Sequence, residues 1–542
     1  MVQWNASIWA LPLVRAPQAI AASRHALLPG MELNKFAYAG RGTPATARPR
    51  LPPHRGNGRW NVLDDDMVVE VCAHLDDRQL ARLANIDRRT RRIAHIAIQR
   101  CLQLSASQWA VFDAVLHKRE SVLLMGAPGT GKSYLLKILS DRVSAPIVAA
   151  STGAAAEKIG ASTIHSALGL GIGNRTSAEI VGRMLKPHNP FGLAMLSRIG
   201  ECRTLIIDEV SMLTAKLLCL AEEVLLKVRG SQKGLPQLIV SGDPMQLGAV
   251  GQKQDGAFYT AELILNLRPY VLTESFRQAE NSRFLHILNA ARLGKAMRED
   301  ELWLRANFCP KAPPTAPKLF CRNYMVDRHN EEMLEALTGN ISVYTDKVVG
   351  HVPPDSKQPF VRLKVGARVL LNRNLPEFPS LHNGSCGTVT DCSITCVEVN
   401  FDNGKRASVP RVTQEFEERG KVVGTRTYMP LMLAWAVTVH RAQGSTLDSM
   451  YVDLSKCFEA GHVYVALSRV REASHVEADN LQLKDLNKID KTALAFYNKC
   501  AERSQKRVTR RKERARIRAL SYQDVDDFEA NAMMDRFEAG QM

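Results

Sequence analysis

The segment GAPGTGKS, residues 126–133, limits the fold of this 542-residue chain more than any other feature. It follows the apolar run SVLLMG and precedes the amphipathic run SYLLKILSDRV. Glycines let successive backbone N–H groups converge on one anion, and the N-terminus of the next helix adds a partial positive charge. The pattern GxxxxGK[ST] between a strand and a helix therefore predicts a phosphate-binding loop, or P-loop.

Other short apolar runs alternate with helical patterns from residue 101 onward. They are APIVAAS (145–151), TLIIDE (204–209) and QLIVSGD (237–243). Runs of this length and composition are typical of strands buried on both faces, so the alternation predicts an α/β fold with parallel sheets. Each run ends in a small or acidic residue, at the strand end where such sheets bind their ligands.

The residue types at these strand ends fit the hydrolysis of a nucleoside triphosphate. Lys132 is expected to reach the β- and γ-phosphates, while Ser133 and Asp208 are expected to hold Mg²⁺. Glu209 is positioned to deprotonate an attacking water, and Gln246 to sense the γ-phosphate. The whole loop is a predicted ATP-binding element, consisting of Gly126, Ala127, Pro128, Gly129, Thr130, Gly131, Lys132 and Ser133.

Phosphoryl transfer also needs cations from outside the P-loop, because its transition state spreads negative charge over the phosphoryl oxygens. Arg277 in LTESFRQ and Arg469 in YVALSRV are the candidates. A single arginine on a helix is usually a solvated partner of a salt bridge, so composition alone does not select these two.

Residues 364–425 have a different pattern. Val-rich alternating runs are separated by Asn-Gly pairs at Asn383-Gly384 and Asn403-Gly404, which favour tight hairpin turns. The segment predicts a small antiparallel barrel inserted in the α/β body. The α/β pattern resumes at residue 426 and ends near residue 490.

Much of the net charge of +17 lies near the termini. Residues 1–60 carry +7 and residues 506–518 another +7, residues 519–542 carry −5, and the remaining 445 residues total +8. The Arg-rich, acid-poor first sixty residues are expected to be disordered, either as an organelle transit peptide or as a plain extension, and Met31 allows a later start. The basic tail fits a nuclear localisation signal, a DNA-binding arm or a solvated helix.

Residues 61–100 have apolar residues at helical spacing and predict a small helical unit. The segment resembles an F-box, the module that docks onto the Skp adaptor of ubiquitin ligases, although Asp64 stands where an F-box usually has proline. Three short helices packed on a neighbouring domain explain the same pattern.

Cysteine spacing and hydropathy exclude several classes of protein. The eleven cysteines form no CxxC pair, and we expect Cys386, Cys392 and Cys396 to be reduced thiols in a reducing compartment rather than metal ligands. No apolar run reaches the length of about 18 residues that a membrane span needs.

Eight ordered motifs between about residues 101 and 480 resemble those of Pif/RecD-type superfamily 1 DNA helicases, close to the Pif branch. They are GAPGTGKS, ASTGAAAEKIGASTIHSALGLG, LIIDEVSML, VSGDPMQL, LTESFRQ, FLHILNAARLG, WAVTVHRAQGSTLD and GHVYVALSRVRE. The resemblance implies two RecA-like cores that share one ATP, with movement from 5′ to 3′ on single-stranded DNA. It implies that the inserted barrel is Src-homology-like and shapes the strand channel.

The resemblance also assigns residues. Gln108 would read adenine, and Arg277 and Arg469 would be arginine fingers contributed by the second core. Residues implied to line the single-strand channel are Thr152, Gly153, His165, Ser166, His440, Gln443, Gly444 and Thr446.

The chain departs from the family pattern at three places. Pro244 replaces a common aromatic residue, Gly248-Ala249 replaces a Pro-Pro pair, and HRAQG with Arg441 replaces HKSQG. The first two changes bear on base stacking and on the coupling of hydrolysis to strand movement, and they leave the predicted ATPase residues intact.

The sequence thus predicts seven segments. They are an extension (1–60), the F-box-like unit (61–100), the first core (101–270), the second core in two parts (271–363 and 426–490), the inserted barrel (364–425) and a basic-then-acidic tail (491–542). The expected function is that of an ATP- and Mg²⁺-dependent helicase acting on single-stranded and forked DNA in the nucleus or mitochondrion. The implied roles are in repair, recombination, and telomere or organelle DNA upkeep.

Two other classes of function are compatible with parts of the sequence. A P-loop ATPase that remodels proteins would share the nucleotide site but leaves the segment from His440 to Thr446 and the barrel unexplained. A ubiquitin-ligase adaptor would use the F-box-like unit to bind a Skp-type partner.

Overall fold

The computed structural model describes residues 99, 102–507 and 509, apart from 172, 174, 187–188, 250, 279–281, 353–359, 374, 376–377, 379–380, 382 and 419–420. The extension 1–60, the F-box-like unit except for Gln99, and most of the charged tail lie outside the described residues. The interpretations as a transit peptide, a Skp-binding module and a localisation signal fall on those segments.

Strands are numbered in chain order within the described residues. They are β1 (Val122–Gly126), β2 (Pro146–Ala150), β3 (Ser162–Thr163), β4 (Thr204–Asp208), β5 (Gln237–Gly242), β6 (Arg268–Leu272), β7 (Lys318–Phe320), β8 (Ser342–Thr345), β9 (Lys347–Gly350), β10 (Phe360–Leu363), β11 (Arg368–Leu371), β12 (Cys386–Cys392), β13 (Cys396–Phe401), β14 (Arg406–Pro410), β15 (Val412–Glu418), β16 (Lys421–Tyr428), β17 (Leu431–Leu433), β18 (Ala436–Thr438), β19 (Met450–Asp453) and β20 (Val476–Asp479).

Helices are numbered in the same way. They are α1 (Ala106–Leu116), α2 (Lys132–Ser140), α3 (Gly153–Lys158), α4 (Ile164–Ala167), α5 (Ser177–Met184), α6 (Pro190–Glu201), α7 (Ala215–Lys233), α8 (Gln252–Asp255), α9 (Glu262–Leu265), α10 (Arg283–Arg292), α11 (Arg298–Asn307), α12 (Asn323–Ala336), α13 (Val439–Ala442), α14 (His462–Leu467), α15 (Leu483–Leu486) and α16 (491–507). None of the helices in the described ranges has the length and apolarity needed to cross a bilayer.

The first core is built on a six-stranded sheet in the order β3-β2-β4-β5-β1-β6, and all its pairs are parallel. Successive side chains of β1 point to opposite faces, so Leu123 and Met125 pack in one hydrophobic cluster while Val122 and Leu124 pack in another. A sheet that is covered on both faces requires strands that are apolar throughout, which explains the runs seen in the sequence. The α/β prediction is confirmed.

The second core has a smaller parallel sheet in the order β18-β7-β19-β20. Its hydrophobic cluster combines strand residues such as Val452 with Ile287 of α10 and Val463 of α14. The strand β6 at the predicted boundary of the cores pairs with β1, so the first sheet extends to Leu272.

Antiparallel strands lie between the two parts of the second core, around a cluster that includes Val369, Val399 and Leu431. The pairs form the sheets β14-β13-β12-β11-β17, β15-β16-β9 and β10-β8. They extend beyond the predicted range of 364–425 on both sides, from Ser342 to Leu433, because β8, β9 and β17 also pair there. The barrel-like closure of this region stays a prediction.

The helix α16 differs from the tail predicted at 491–542. Its apolar residues Ala493 and Cys500 are buried, and the ring of Phe496 stacks on Tyr259 with 5.2 Å between centroids. Phe496 also meets Phe258 edge-on at 6.2 Å. The helix thus returns to the first core, because its apolar residues recur at intervals of three to four despite the basic run that follows.

We predict that Phe496→Ala lowers the free energy of unfolding of the first core by about 2 kcal/mol, since it removes two aromatic contacts from a partly buried site. Denaturant titration followed by tryptophan fluorescence measures the change. Asn498→Ala, at an exposed position of the same helix, serves as the control and should leave the midpoint unchanged. Equal midpoints for both variants and the parent chain would contradict the packing of α16.

Candidate nucleotide cleft

The P-loop joins β1 to α2 and is shaped by two left-handed glycines, Gly129 (φ +84°) and Gly131 (φ +78°). A Cβ atom added at Gly129 would lie 2.6 Å from the Cβ of Arg277, so only glycine fits there.

The ammonium of Lys132 is buried and donates to the carbonyl oxygens of Gly126 at 2.8 Å and Ala127 at 3.0 Å. Burial lowers the pKa of Lys132, while nearby carboxylates oppose that shift.

The acidic pair follows directly on β4. The hydroxyl of Ser133 donates to Oδ2 of Asp208 at 2.6 Å, so two oxygen donors of the kind Mg²⁺ prefers lie side by side. Glu209 has a left-handed backbone (φ +53°), which is uncommon for a residue other than glycine. Its N–H donates to Oδ1 of Asp208 at 2.9 Å, which fixes the turn. The residues predicted to hold the metal therefore fit that role.

The carboxylate of Glu209 is suited to accept a proton. It is buried, and burial, followed by the charge of Asp208, raises its pKa. Its Oε2 atom has no hydrogen-bond partner among the described residues. A buried carboxylate with a raised pKa and one free oxygen is what a general base requires.

Gln246 lies beyond β5 and is only 6% exposed, and neither its amide nitrogen nor its amide oxygen has a partner within the described part of the chain. Leaving both atoms unpaired is costly in a folded protein, and polar groups of this kind point to a ligand or a bound water. The contact of Gln246 with a γ-phosphate stays a prediction.

The two predicted arginines extend into the cleft from different segments of the chain. Arg469 follows α14 in the second core, is almost fully buried, and donates through Nε to the carbonyl of Val465 at 2.8 Å. Burial, and then the charge of Arg277, lowers the pKa of Arg469 to about 10.

Arg277 requires a correction. The resemblance implied that the second core contributes it, but Arg277 follows β6, and the N–H of its neighbour Phe276 donates to the carbonyl of Gly129 at 2.8 Å. Its backbone is therefore fixed to the P-loop, and only its guanidinium crosses to the second core, where it donates to the carbonyl of Ser468 at 2.7 Å. The loop that follows β6 thus binds both cores.

The P-loop, Glu209 and both arginines line a cleft of about 300 Å³. Its walls include Lys132, Ser133 and Glu209 from the first core and Thr446 and Arg469 from the second.

Gln108, which is predicted to recognise adenine, lies directly behind the P-loop. Its Nε2 donates to the carbonyl of Thr130 at 3.3 Å, and its Oε1 accepts from the N–H of Ser105 at 3.0 Å.

The residues predicted to contact a single strand do not form one group. In the first core, Thr152 caps α3, since its hydroxyl accepts from the N–H of Ala155 at 3.2 Å, and Gly153 packs against the backbone of Asn383 from the antiparallel region. His165 and Ser166 lie in the short helix α4, where burial lowers the pKa of His165.

In the second core, the predicted strand-binding residues divide between two places. His440 pairs with the carboxylate of Glu459 at 2.8 Å. Gly444 and Thr446 line the nucleotide cleft itself. Gln443 is buried and donates to the hydroxyl of Ser211, just after the acidic pair, at 3.1 Å. The segment 440–446 is thus placed to connect the cleft with surfaces farther from it.

The sequence patterns do not predict two features of the structure, although the residues involved lie within the helicase-like motifs. Arg292, in FLHILNAARLG, forms a buried ion pair with Asp243, in VSGDPMQL, with an N–O distance of 2.7 Å. Lys158, in the motif that contains Thr152, reaches the nucleotide cleft. A lysine at a helix end and an arginine in an amphipathic helix usually face solvent, so no local signal identifies either one.

We predict that Glu209→Gln slows ATP hydrolysis by about hundredfold or more, because an amide of nearly equal size cannot take a proton from water. Nucleotide binding should persist. Phosphate release and equilibrium binding of a fluorescent nucleotide measure the two effects separately.

The matched control for this variant is Glu201→Gln at the exposed end of α6, which should hydrolyse ATP at the parental rate. Hydrolysis by the Glu209 variant at more than about a tenth of the parental rate would contradict the assignment of the base.

Known proteins are similar to this chain in sequence. Residues 103–301 match the family described as PIF1-like helicase. The ATP-dependent DNA helicase PIF1 of Danio rerio is 32% identical over 384 residues, which cover 66% of this chain and 58% of that protein. The ATP-dependent DNA helicase Pif1 of Bdellovibrio bacteriovorus is 30% identical over 377 residues, which cover 66% and 84%.

A solved structure shares the fold as well. The crystal structure of the Pif1 helicase from Bacteroides in complex with ADP-AlF3 and ssDNA superimposes with a TM-score of 0.65 at 26% identity. The match covers 74% of this chain and 97% of that one. By contrast, the chain spans only 58% of the length of the Danio rerio relative.

Proposed function

The chain belongs to the PIF1-like helicase family, and we propose that it is an ATP-dependent DNA helicase that moves 5′ to 3′ on single-stranded DNA. One observation carries the proposal. The P-loop lysine, the glutamate of the acidic pair and two arginines meet in one cleft that both parallel-sheet cores line. ATP bound there would touch both cores, so its hydrolysis can change how the cores meet.

Each group in the cleft has a role in hydrolysis. The backbone of the P-loop and Lys132 hold the phosphates, and Ser133 and Asp208 would hold Mg²⁺ through oxygen atoms. The metal, when bound, neutralises charge on the phosphoryl oxygens. Glu209 takes the proton of the attacking water, and Arg469 stabilises the charge that develops as the bond to the terminal phosphate breaks.

Contacts between the cleft and the predicted strand channel support coupling. Gln443 bonds to Ser211 next to the acidic pair, and Gly444 lies at the cleft. On the other side, Gly153 packs against Asn383 of the antiparallel region. We propose that this region is the Src-homology-like insertion and forms a wall of the channel, so that closure of the cleft moves the grip on the strand.

The proposed substrates are forked duplexes and structured DNA in the nucleus or mitochondrion, in repair, recombination, and telomere or organelle DNA upkeep. The named relatives, ATP-dependent DNA helicases, support DNA as the partner. Among the described residues none supports a Skp-type adaptor as a partner.

We predict that Lys132→Ala abolishes hydrolysis stimulated by single-stranded DNA while binding of the strand is retained, since the Lys132 ammonium donates to P-loop carbonyls, away from the residues predicted to contact the strand. Malachite-green phosphate assays and fluorescence anisotropy with labelled oligothymidine measure the two properties. Persistent strand-stimulated turnover in this variant would contradict the proposed function.

Direction of movement is tested by unwinding of two duplexes that carry a single-stranded tail at either the 5′ or the 3′ end. The proposal predicts strand separation with the 5′ tail and little with the 3′ tail. Glu209→Gln, assayed in parallel, controls for passive melting. Preference for the 3′ tail would overturn the proposed polarity and leave the ATPase assignment standing.

A further inference from the structure

The helix α3 connects the predicted strand channel with the nucleotide cleft. Its first residue, Gly153, packs against Asn383 of the antiparallel region, and its last residue, Lys158, lines the cleft. The ammonium of Lys158 donates to the carbonyl oxygen of Gly444, a residue 286 positions away in the second core. A single lysine thus bridges the cores at the place where the nucleotide is expected.

Lys158 lies in a crowded positive field. Its side chain lines the cleft, so a ligand there can reach the ammonium. Although part of the residue is exposed, burial of the ammonium in the cleft, followed by the charges of Arg277 and Arg469, lowers its pKa to about 8, and Glu209 and Asp208 oppose that shift. Cations that line one cleft repel one another until an anion enters, and a triphosphate supplies about four negative charges.

The neighbours of Lys158 indicate which part of a nucleotide it faces. The groups that perturb it are Arg277, Arg469, Glu209 and Asp208. Gly444, whose carbonyl accepts from Lys158, lies against Glu209, since a Cβ atom added at Gly444 would be 3.7 Å from Oε1 of that residue. Glu209 and Arg469 act on the attacking water and on the terminal phosphate in the proposed reaction, so Lys158 lies at the γ-phosphate end of the cleft.

We propose that Lys158 is a further phosphate-binding residue, whose ammonium leaves the carbonyl of Gly444 and donates to the terminal phosphate of bound ATP. This inference rests on the proposed function of the cleft. The exchange breaks one contact between the cores when ATP arrives and restores it after the γ-phosphate departs. Gly444 belongs to the segment 440–446. Loss of its bond to Lys158 therefore changes the constraint on that segment, and this links the bound nucleotide to the predicted strand channel.

The test measures dissociation constants of AMP-PNP and ADP without DNA, at pH 7 and pH 9. For Lys158→Ala we expect AMP-PNP to bind about tenfold more weakly at pH 7, while ADP binding changes by less than about twofold, because ADP has no γ-phosphate. Lys158→Arg should restore AMP-PNP binding, and Lys137→Ala on the exposed face of α2 should match the parent chain.

The pH dependence distinguishes phosphate binding from a structural role. A lysine with a pKa near 8 in the empty cleft is mostly neutral at pH 9, so the parent chain should lose affinity for AMP-PNP between pH 7 and pH 9. Lys158→Arg stays charged over this range and should lose less. A loss that is equal in both proteins would overturn the inference.

The other outcomes distinguish failure of the role of Lys158 from failure of the proposed function. Unchanged AMP-PNP binding in Lys158→Ala, or equal weakening of AMP-PNP and ADP, would remove Lys158 from the γ-phosphate site. If Lys132→Ala still loses binding of both nucleotides, the proposed ATP site stands and only the role of Lys158 fails. If the parent chain binds neither nucleotide, the proposed function itself fails.

Discussion

A buried ion pair between Asp243 and Arg292 holds the two cores together. Arg292, at the end of α10, donates to both carboxylate oxygens of Asp243, which follows β5, at 2.7 and 3.1 Å. The hydroxyl of Tyr464 on α14 approaches the same carboxylate at 3.4 Å, and the ring of Tyr497 on α16 lies 4.2 Å from the guanidinium. Removing one partner of such a pair typically costs about 3–5 kcal/mol, because the other charge stays buried.

The ion pair has consequences for the cleft. Asp243 and Gln246 belong to the same short segment, so fixing Asp243 against the second core also fixes the unpartnered amide of Gln246 at the interface. The contacts of Arg277 with Ser468 and of Gln443 with Ser211 cross the same boundary. Near this boundary lie unpartnered polar atoms and several cations, and we propose that a phosphate anion would compensate both.

Local patterns in the sequence predicted what depends on local geometry. The P-loop, the acidic pair after β4 and the alternating parallel strands follow from glycine placement, strand ends and apolar runs, and the structure contains them. The return of α16 to the first core, the attachment of Arg277 to the P-loop and the pairing of Arg292 with Asp243 depend on contacts between distant segments. For a side chain such as Lys158, the sequence does not distinguish a residue that lines a cleft from one that is exposed to solvent.

The assignment of the strand-binding residues illustrates the same limit. Motif resemblance placed Gly444 and Thr446 in a channel, and the fold brings both to the nucleotide cleft, next to the acidic pair and Lys158. A motif identifies a segment, but only the packing of the cores decides which side chain faces which ligand. We therefore propose that the segment 440–446 connects the cleft with the predicted strand channel.

The most direct test of this account is the rate of ATP hydrolysis by the intact chain with and without single-stranded DNA. The cleft and the predicted channel share the segment 440–446 and the helix α3. We therefore predict that single-stranded DNA strongly accelerates ATP hydrolysis. A rate that is the same in both conditions would contradict the coupling on which the account depends.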